Sequence, residues 1–310
     1  MDETKKTIGQ RLLDIYDKKY RTLLIIPFII LLLAIAQISY QIYSTGDFLK
    51  KDVSLKGGVT ITIPFEKDID DAKLQNDISS SFNANDIVVR KLTSAGSSVG
   101  FIVEADINGE DQYEVQRLLA EIEKSLQLGL EEKDFSIEII GPSLGQSFFR
   151  ESLIALFVAF VFMGIVIFIY FRTLIPSLAV ILAALSDMII ALAVMNLLDV
   201  RIGTAGIAAF LMLIGYSVDT DILLTVRVLK RKEGTVMDRI VSSIKTGMTE
   251  TITAIVAVTV AMLVTQSDAI RQIMLILLIG LLADILNTWI QNVGILRIYL
   301  ERKAKKGAVQ

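Results

Sequence analysis

The chain has 310 residues, 53% of them hydrophobic, and a formal net charge of −3; its mean hydropathy of +0.59 lies outside the range of ordinary soluble domains. It contains no cysteine and no histidine, which rules out disulfides and thiolate nucleophiles, removes the commonest metal ligand and leaves proton handling to carboxylates, Tyr or Lys. The near-neutral charge gives no sign of nucleic-acid binding, and with no serine or lysine in a recognisable nucleophile motif no enzymatic activity, catalytic residue, cofactor or metal is expected.

In chain order, residues 1–22 form a basic segment with Lys5, Lys6, Arg11, Lys18, Lys19 and Arg21. The apolar run at 23–43 is long enough to cross a bilayer, which takes about 20 residues. It is too long for a cleavable signal and reads as an uncleaved anchor. Residues 44–150 are polar. Within 151–298 lie five more apolar runs, at 152–171, 174–198, 203–228, 251–266 (or from near Thr246) and 273–296, followed by a basic tail, 299–310. Arg172 lies between the second and third runs. Arg227, Lys230, Arg231, Lys232, Arg239 and Lys245 flank the link between the fourth and fifth, and Arg302, Lys303, Lys305 and Lys306 close the chain. Six crossings put all of these on one side, leaving only Arg201 and Arg271 in the opposite short loops. Both termini are therefore expected in the cytoplasm, with 44–150 outside a multiply spanned cell membrane. "VRVLKRK" reads as a positive-inside anchor, with contact to a partner or anionic lipid as the alternative.

The polar segment has a readable pattern. "GVTITIPF" alternates like a strand, and "DIDDAKLQNDISSSF" opens with the acids that a helix N-terminus favours. "DIVVRKL" and "SVGFIVEAD" read as strands joined by the turn "TSAGS". "DQYEVQRLLAEIEKSL" puts Val115, Leu118, Leu119, Ile122 and Leu126 on one helical face, and "FSIEIIG" supplies a last strand. The order is β-α-β-β-α-β, a ferredoxin-like α+β domain appended to a six-span helical membrane protein. The glycines of "LKGG" and "GPSLG" lack the residues of a nucleotide site and read as turns at the membrane boundary.

Four aspartates fall inside the spans: Asp187 in "ALSDMII", Asp219 and Asp221 in "GYSVDTD", and Asp284 in "LLADILNTWIQN". Asp187 lies roughly 20 Å from the inner end of its span and Asp284 roughly 18 Å from the outer end of its own, so the acids share a central layer. Each costs about 3 kcal/mol to insert at that depth, which predicts that all four face the bundle interior. Gly280, Asp284, Asn287, Thr288 and Gln291 share a helical face. Small residues from Gly203 to Ser217 thin the fourth span and predict a central position for it. Asp219 and Asp221 stand about 200° apart around their helix, Gly215 on the side of Asp219 and Ser217 on that of Asp221. No basic residue lies at this depth, so at least one acid is expected to keep its proton near neutral pH. The set reads as a proton or sodium relay supported by Ser217, Tyr216, Asn287 and Thr288, or else as neutral hydrogen-bonding glue between helices. Glu250, in "GMTETIT", is expected at the inner mouth of the fifth span, as a first-turn acid or a support of the relay. Trp289 reads as a packing or interface aromatic.

"LKGGVTI", "GPSLGQSF", "RTLIPSLA", "LSDM" and "GYSVDTDILLTVRV", in that order along nearly the whole chain, together resemble the SecF family. That family is the smaller half of the SecD–SecF accessory complex of protein export, within the resistance-nodulation-division superfamily. The resemblance implies an auxiliary role in protein export coupled to an ion gradient, that of protons first. It implies a SecD partner supplying six further spans, the Sec translocation channel nearby, and an exported polypeptide held by the outer domain. Two departures point to the archaeal type. Where bacterial members have Asn then Asp after "GYS-x", this chain has Asp219 then Thr220, and Glu250 stands where they carry an arginine. A gradient-independent scaffold or chaperone remains open, as does, more weakly given the single modest outer domain, a small-molecule exporter.

Overall fold

The computed structural model describes residues 8–65, 70–82, 87–94, 97–127, 129–131, 134–231 and 233–307. Lys5, Lys6 and Lys232 lie outside the described residues, as do Asp68 of the expected helix start, the turn residues Ala95 and Gly96, and the side chains of Arg11 and Lys306.

Alternation makes the first strand, β1 (Gly58–Pro64): Val59, Ile61 and Ile63 point into a core while Thr60 and Thr62 stay half-buried. β2 (Ile87–Ser94), β3 (Ser97–Ala105) and β4 (Ser136–Ile140) complete an antiparallel sheet of order β2-β3-β1-β4. Two helices cover one face, each started by an aspartate that accepts a backbone N–H. Asp70 caps Asp71–Ser81 at 3.1 Å, and Asp111 caps Gln112–Leu126 at 2.9 Å. Val115, Leu118 and Ile122 drive the second helix onto the sheet, with Leu119 and Leu126 at the margin. This is the expected βαββαβ order, with the strand order of a ferredoxin-like domain.

Among the described residues, six helices are long and apolar enough to cross a membrane: Tyr20–Thr45, Pro142–Phe171, Leu174–Leu197, Thr204–Lys230, Val236–Val264 and Asp268–Lys305. About half of the most apolar stretch of the third, fourth and sixth is buried, against about a tenth in the others. The fourth helix packs against the second, third, fifth and sixth, the central position its small residues predict. Gly280 of the sixth helix meets Leu213 of the fourth with no room for a Cβ, the close approach that small residues permit in lipid, where no hydrophobic drive pulls helices together.

The ends of two spans differ from expectation. The fifth helix starts at Val236, well before the apolar run at 251–266, because Thr235 and Asp238 form a capping box that holds a polar first half in helix. Glu250 is therefore a mid-helix residue, and Asp238 is the first-turn acid. The sixth starts at Asp268, capped by Ser267, and its α-helical turns are interrupted by a π-helical stretch, Asn287–Asn292.

The glycine-rich motifs "LKGG" and "GPSLG" meet each other. Gly57 has φ +93°, and a Cβ there would stand 2.6 Å from Pro142 Cα; one on Gly145 would stand 2.6 Å from Gly57 N. The two backbones close the joint between the sheet domain and the second span. On the uncovered sheet face, Arg90 pairs with Glu104 and, at 3.1 Å, with Asp268 at the start of the sixth helix. Arg271 donates to the Thr93 carbonyl from the same helix. The domain is thus tied to the bundle through the helix that carries Asp284.

Candidate functional site

Three helices bring carboxyl groups into one buried layer. The third supplies Asp187, the fourth Asp221 with Ser217, and the sixth Asp284 with Asn287, Thr288 and Asn292. Asp187, Asp221, Asp284, Asn287, Thr288 and Asn292 are all 0% exposed. The π-helical stretch has a physical consequence here: its wider turn brings Asn292 to the buried side on which helical spacing already places Asn287, Thr288 and Gln291. Insertions of this kind recur at functional sites.

The hydrogen bonds run across helices. Ser217 Oγ donates to Asp187 Oδ2 at 2.6 Å, and Asn287 Nδ2 donates to Asp187 Oδ1 at 2.7 Å. Asp221 Oδ1 accepts from Asn292 Nδ2 at 2.7 Å and lies 2.9 Å from Thr288 Oγ1. The same hydroxyl lies 2.8 Å from Asp284 Oδ1. Oδ2 of Asp221 and of Asp284, Oδ1 of Asn287 and of Asn292, and Oε1 of Gln291 are buried with no hydrogen-bond partner among the described residues. The layer is rich in acceptors, and no Lys or Arg is among the buried polar residues described. Arg227, the nearest basic residue along the fourth helix, is held by the Ser242 carbonyl at 2.8 Å and Thr246 Oγ1 at 2.9 Å. Such a layer can take up a proton or a small cation without displacing a fixed counter-charge.

The structure separates the four aspartates three to one. Asp187, Asp221 and Asp284 converge. Asp219 does not: it is exposed on the opposite side of its helix, beside Gly215 and Tyr216, contrary to the expectation that all four face inward. The third and sixth helices cover the Asp221 side, and nothing among the described residues covers the other; a Cβ on Gly215 would meet nothing within 4 Å. Glu250 is also exposed. Trp289 is 5% exposed and packs with Leu224, Val228 and Ile240, against Gly247, as an aromatic of the core. Sequence reasoning missed Asn292, Ser186, whose hydroxyl accepts from Gln291 Nε2 at 3.4 Å, and Thr225, fully buried one turn beyond Asp221. Asn292 was visible as the last polar residue of "NTWIQN", but an α-helical wheel does not put it with Asp284.

Residues 121–302 match the family described as protein export membrane protein SecD/SecF, C-terminal. The chain is similar to proteins named protein-export membrane protein SecF. That of Methanothermobacter thermautotrophicus is 39% identical over 97% of this chain and 99% of the relative. That of Pyrococcus furiosus is 36% identical over 99% and 100%, and that of Methanocaldococcus jannaschii 37% over 93% and 99%. Its fold is similar to the crystal structure of SecDF from Thermus thermophilus, described as a translocon-associated membrane protein. The TM-score is 0.68 at 17% identity, over 97% of this chain and 40% of that longer one. A match over most of its length and relatives of this identity place the chain in the SecD/SecF family of protein export membrane proteins.

Proposed function

We propose that the chain is the SecF-type half of a two-part membrane assembly that promotes protein export, and that ion movement through its buried acids drives the assembly's cycle. The observation that carries the reading is the layer itself: three fully buried carboxyls on three helices, with no buried cation beside them among the described residues. A carboxyl fixed by a guanidinium keeps its charge whatever the helices do. One held only by hydroxyls and amides changes charge as its partners move, which is what couples ion passage to conformation.

The names of the relatives and the likeness to SecDF support a SecD partner and the Sec channel as the setting. The uncovered stripe of the fourth helix, Ala208, Met212, Gly215, Tyr216 and Asp219, is assigned to that partner. A carboxylate facing lipid near mid-bilayer costs about 3 kcal/mol, and a partner helix over Gly215 removes that cost. Asp219 and Tyr216 then act at the interface between the halves. The basic helix ends, from Arg172 to Lys303, lie at the end of the bundle away from the sheet domain and are assigned to the cytoplasm, the domain to the outside, where it meets the exported polypeptide.

Export into vesicles, measured with an imposed or collapsed ion gradient, tests the reading. The gradient-dependent increment is expected to fall at least about 10-fold in Asp221→Asn, as for loss of a proton-transfer group. Asp219→Asn is expected to weaken retention of SecD. Wild-type export indifferent to the gradient would favour a scaffold instead.

A further inference from the structure

A hydroxyl carries one hydrogen, and Thr288 is asked to satisfy two carboxyls. Its Oγ1 lies 2.9 Å from Asp221 Oδ1 and 2.8 Å from Asp284 Oδ1, both hydrogen-bond lengths. If both carboxyls were ionised, one of these contacts would set two oxygens together with no hydrogen between them. The second hydrogen must come from a carboxyl. Asn292 shows which one. Its Nδ2 also donates to Asp221 Oδ1, at 2.7 Å, marking Asp221 as the acceptor, so Thr288 donates to Asp221 and Asp284 donates to Thr288.

A second observation agrees. Oδ2 of Asp221 and Oδ2 of Asp284 are both buried with no hydrogen-bond partner among the described residues, a costly arrangement for two ionised carboxylates and a less costly one for a pair that holds a proton between them. No opposing charge alters this. The third helix contributes Asp187, the fourth Ser217 and Thr220, and the fifth Glu250, with no Lys or Arg among the buried polar residues described.

We propose that Thr288 is a proton-transfer bridge, and that Asp221 and Asp284 share one proton across it. In the transfer, the O–H bond of Asp284 breaks and its proton joins Thr288 Oγ1. The former Thr288 proton leaves for Asp221 Oδ1. The hydroxyl is regenerated, Asp284 becomes the carboxylate and Asp221 the acid. One proton has crossed from the sixth helix to the fourth without water or a further reactant. The bridge deepens the ion-relay reading and rests on it for its use in export, but the shared proton is a property of the chain alone.

The two are therefore tested separately. In the purified chain in lipid vesicles, infrared spectroscopy in light and heavy water is expected to show a buried protonated carboxyl band. Asp284→Asn is expected to remove it. Thr288→Val should shift it by deleting the hydrogen-bond acceptor, and Thr288→Ser should restore the wild-type position. Absence of the band, or a band unmoved by Thr288→Val, overturns the bridge whatever export does. With the partner present, the gradient-dependent increment of export is expected to fall at least about 10-fold in Thr288→Val and to return in Thr288→Ser. An intact band with export blind to the gradient would instead overturn the relay reading alone. Equal gradient-dependent export by Thr288→Val and wild type would show that the proton takes another path.

Discussion

The sheet domain and the membrane bundle each bury acids, and they treat them in opposite ways. In the domain, Glu104 is 3% exposed and is met by Arg90, which also reaches Asp268 at 3.1 Å. In the bundle, Asp187, Asp221 and Asp284 are met by Ser217, Asn287, Thr288 and Asn292, all neutral. A core in water is assembled by apolar burial, and its rare buried charge must be cancelled on the spot. A core in lipid gains nothing from apolar contacts that lipid cannot supply equally, so polar groups can collect at its centre and be linked by hydrogen bonds. The paired acid locks a joint. The unpaired ones are free to change protonation.

The comparison breaks first at Arg90. Arg90→Met strands Glu104 in the domain and releases Asp268, and is expected to cost about 3–5 kcal/mol, read as a lower thermal midpoint of the domain. Glu104→Gln in the same chain should recover part of the loss. If Arg90→Met is harmless, the two regions do not differ in the way described. A smaller effect is expected in the bundle. Asp284→Asn replaces an acid that already carries its proton by a neutral group of the same shape, so stability should change by no more than about 1 kcal/mol while the gradient-dependent increment of export is lost. A stability loss as large as that of Arg90→Met would mean that Asp284 is ionised and structurally required.

The smallest effect sharpens the comparison at the boundary between the two regions. Asp52 starts the short helix Val53–Lys56 by accepting from Ser54 N at 2.8 Å, and burial pushes its carboxyl above the ordinary range, against the bonds from Ser54. A carboxyl raised on folding binds its proton more tightly in the folded state. That contribution is complete below the unfolded value and is lost as pH rises through the folded one. Asp52→Asn keeps a cap acceptor and removes the titration. It is expected to melt slightly above wild type at neutral pH, with the gap closing as the pH is lowered to about 4. A gap independent of pH would contradict this.

How much of this was legible in the sequence follows from which interactions are local. The strand alternation of Val59, Ile61 and Ile63 and the helical face of Val115, Leu118 and Ile122 follow from backbone periodicity, so the domain could be read directly. The opposition of Asp219 and Asp221 was legible for the same reason. Which of them faces inward was not, because the third and sixth helices decide it from far along the chain. Glu250 was misplaced because hydropathy marks the lipid-facing half of a helix, whereas Thr235 and Asp238 set where it begins. The π-helical stretch, and with it the position of Asn292, has no marker in the residues themselves.

The central claim, that the buried acids of the bundle pass an ion as the assembly works, is tested most directly by proton flux into vesicles holding the chain with SecD and an engaged substrate. Flux during translocation is expected in the wild type, and its loss in Asp221→Asn with assembly intact. Equal flux in both would contradict the claim.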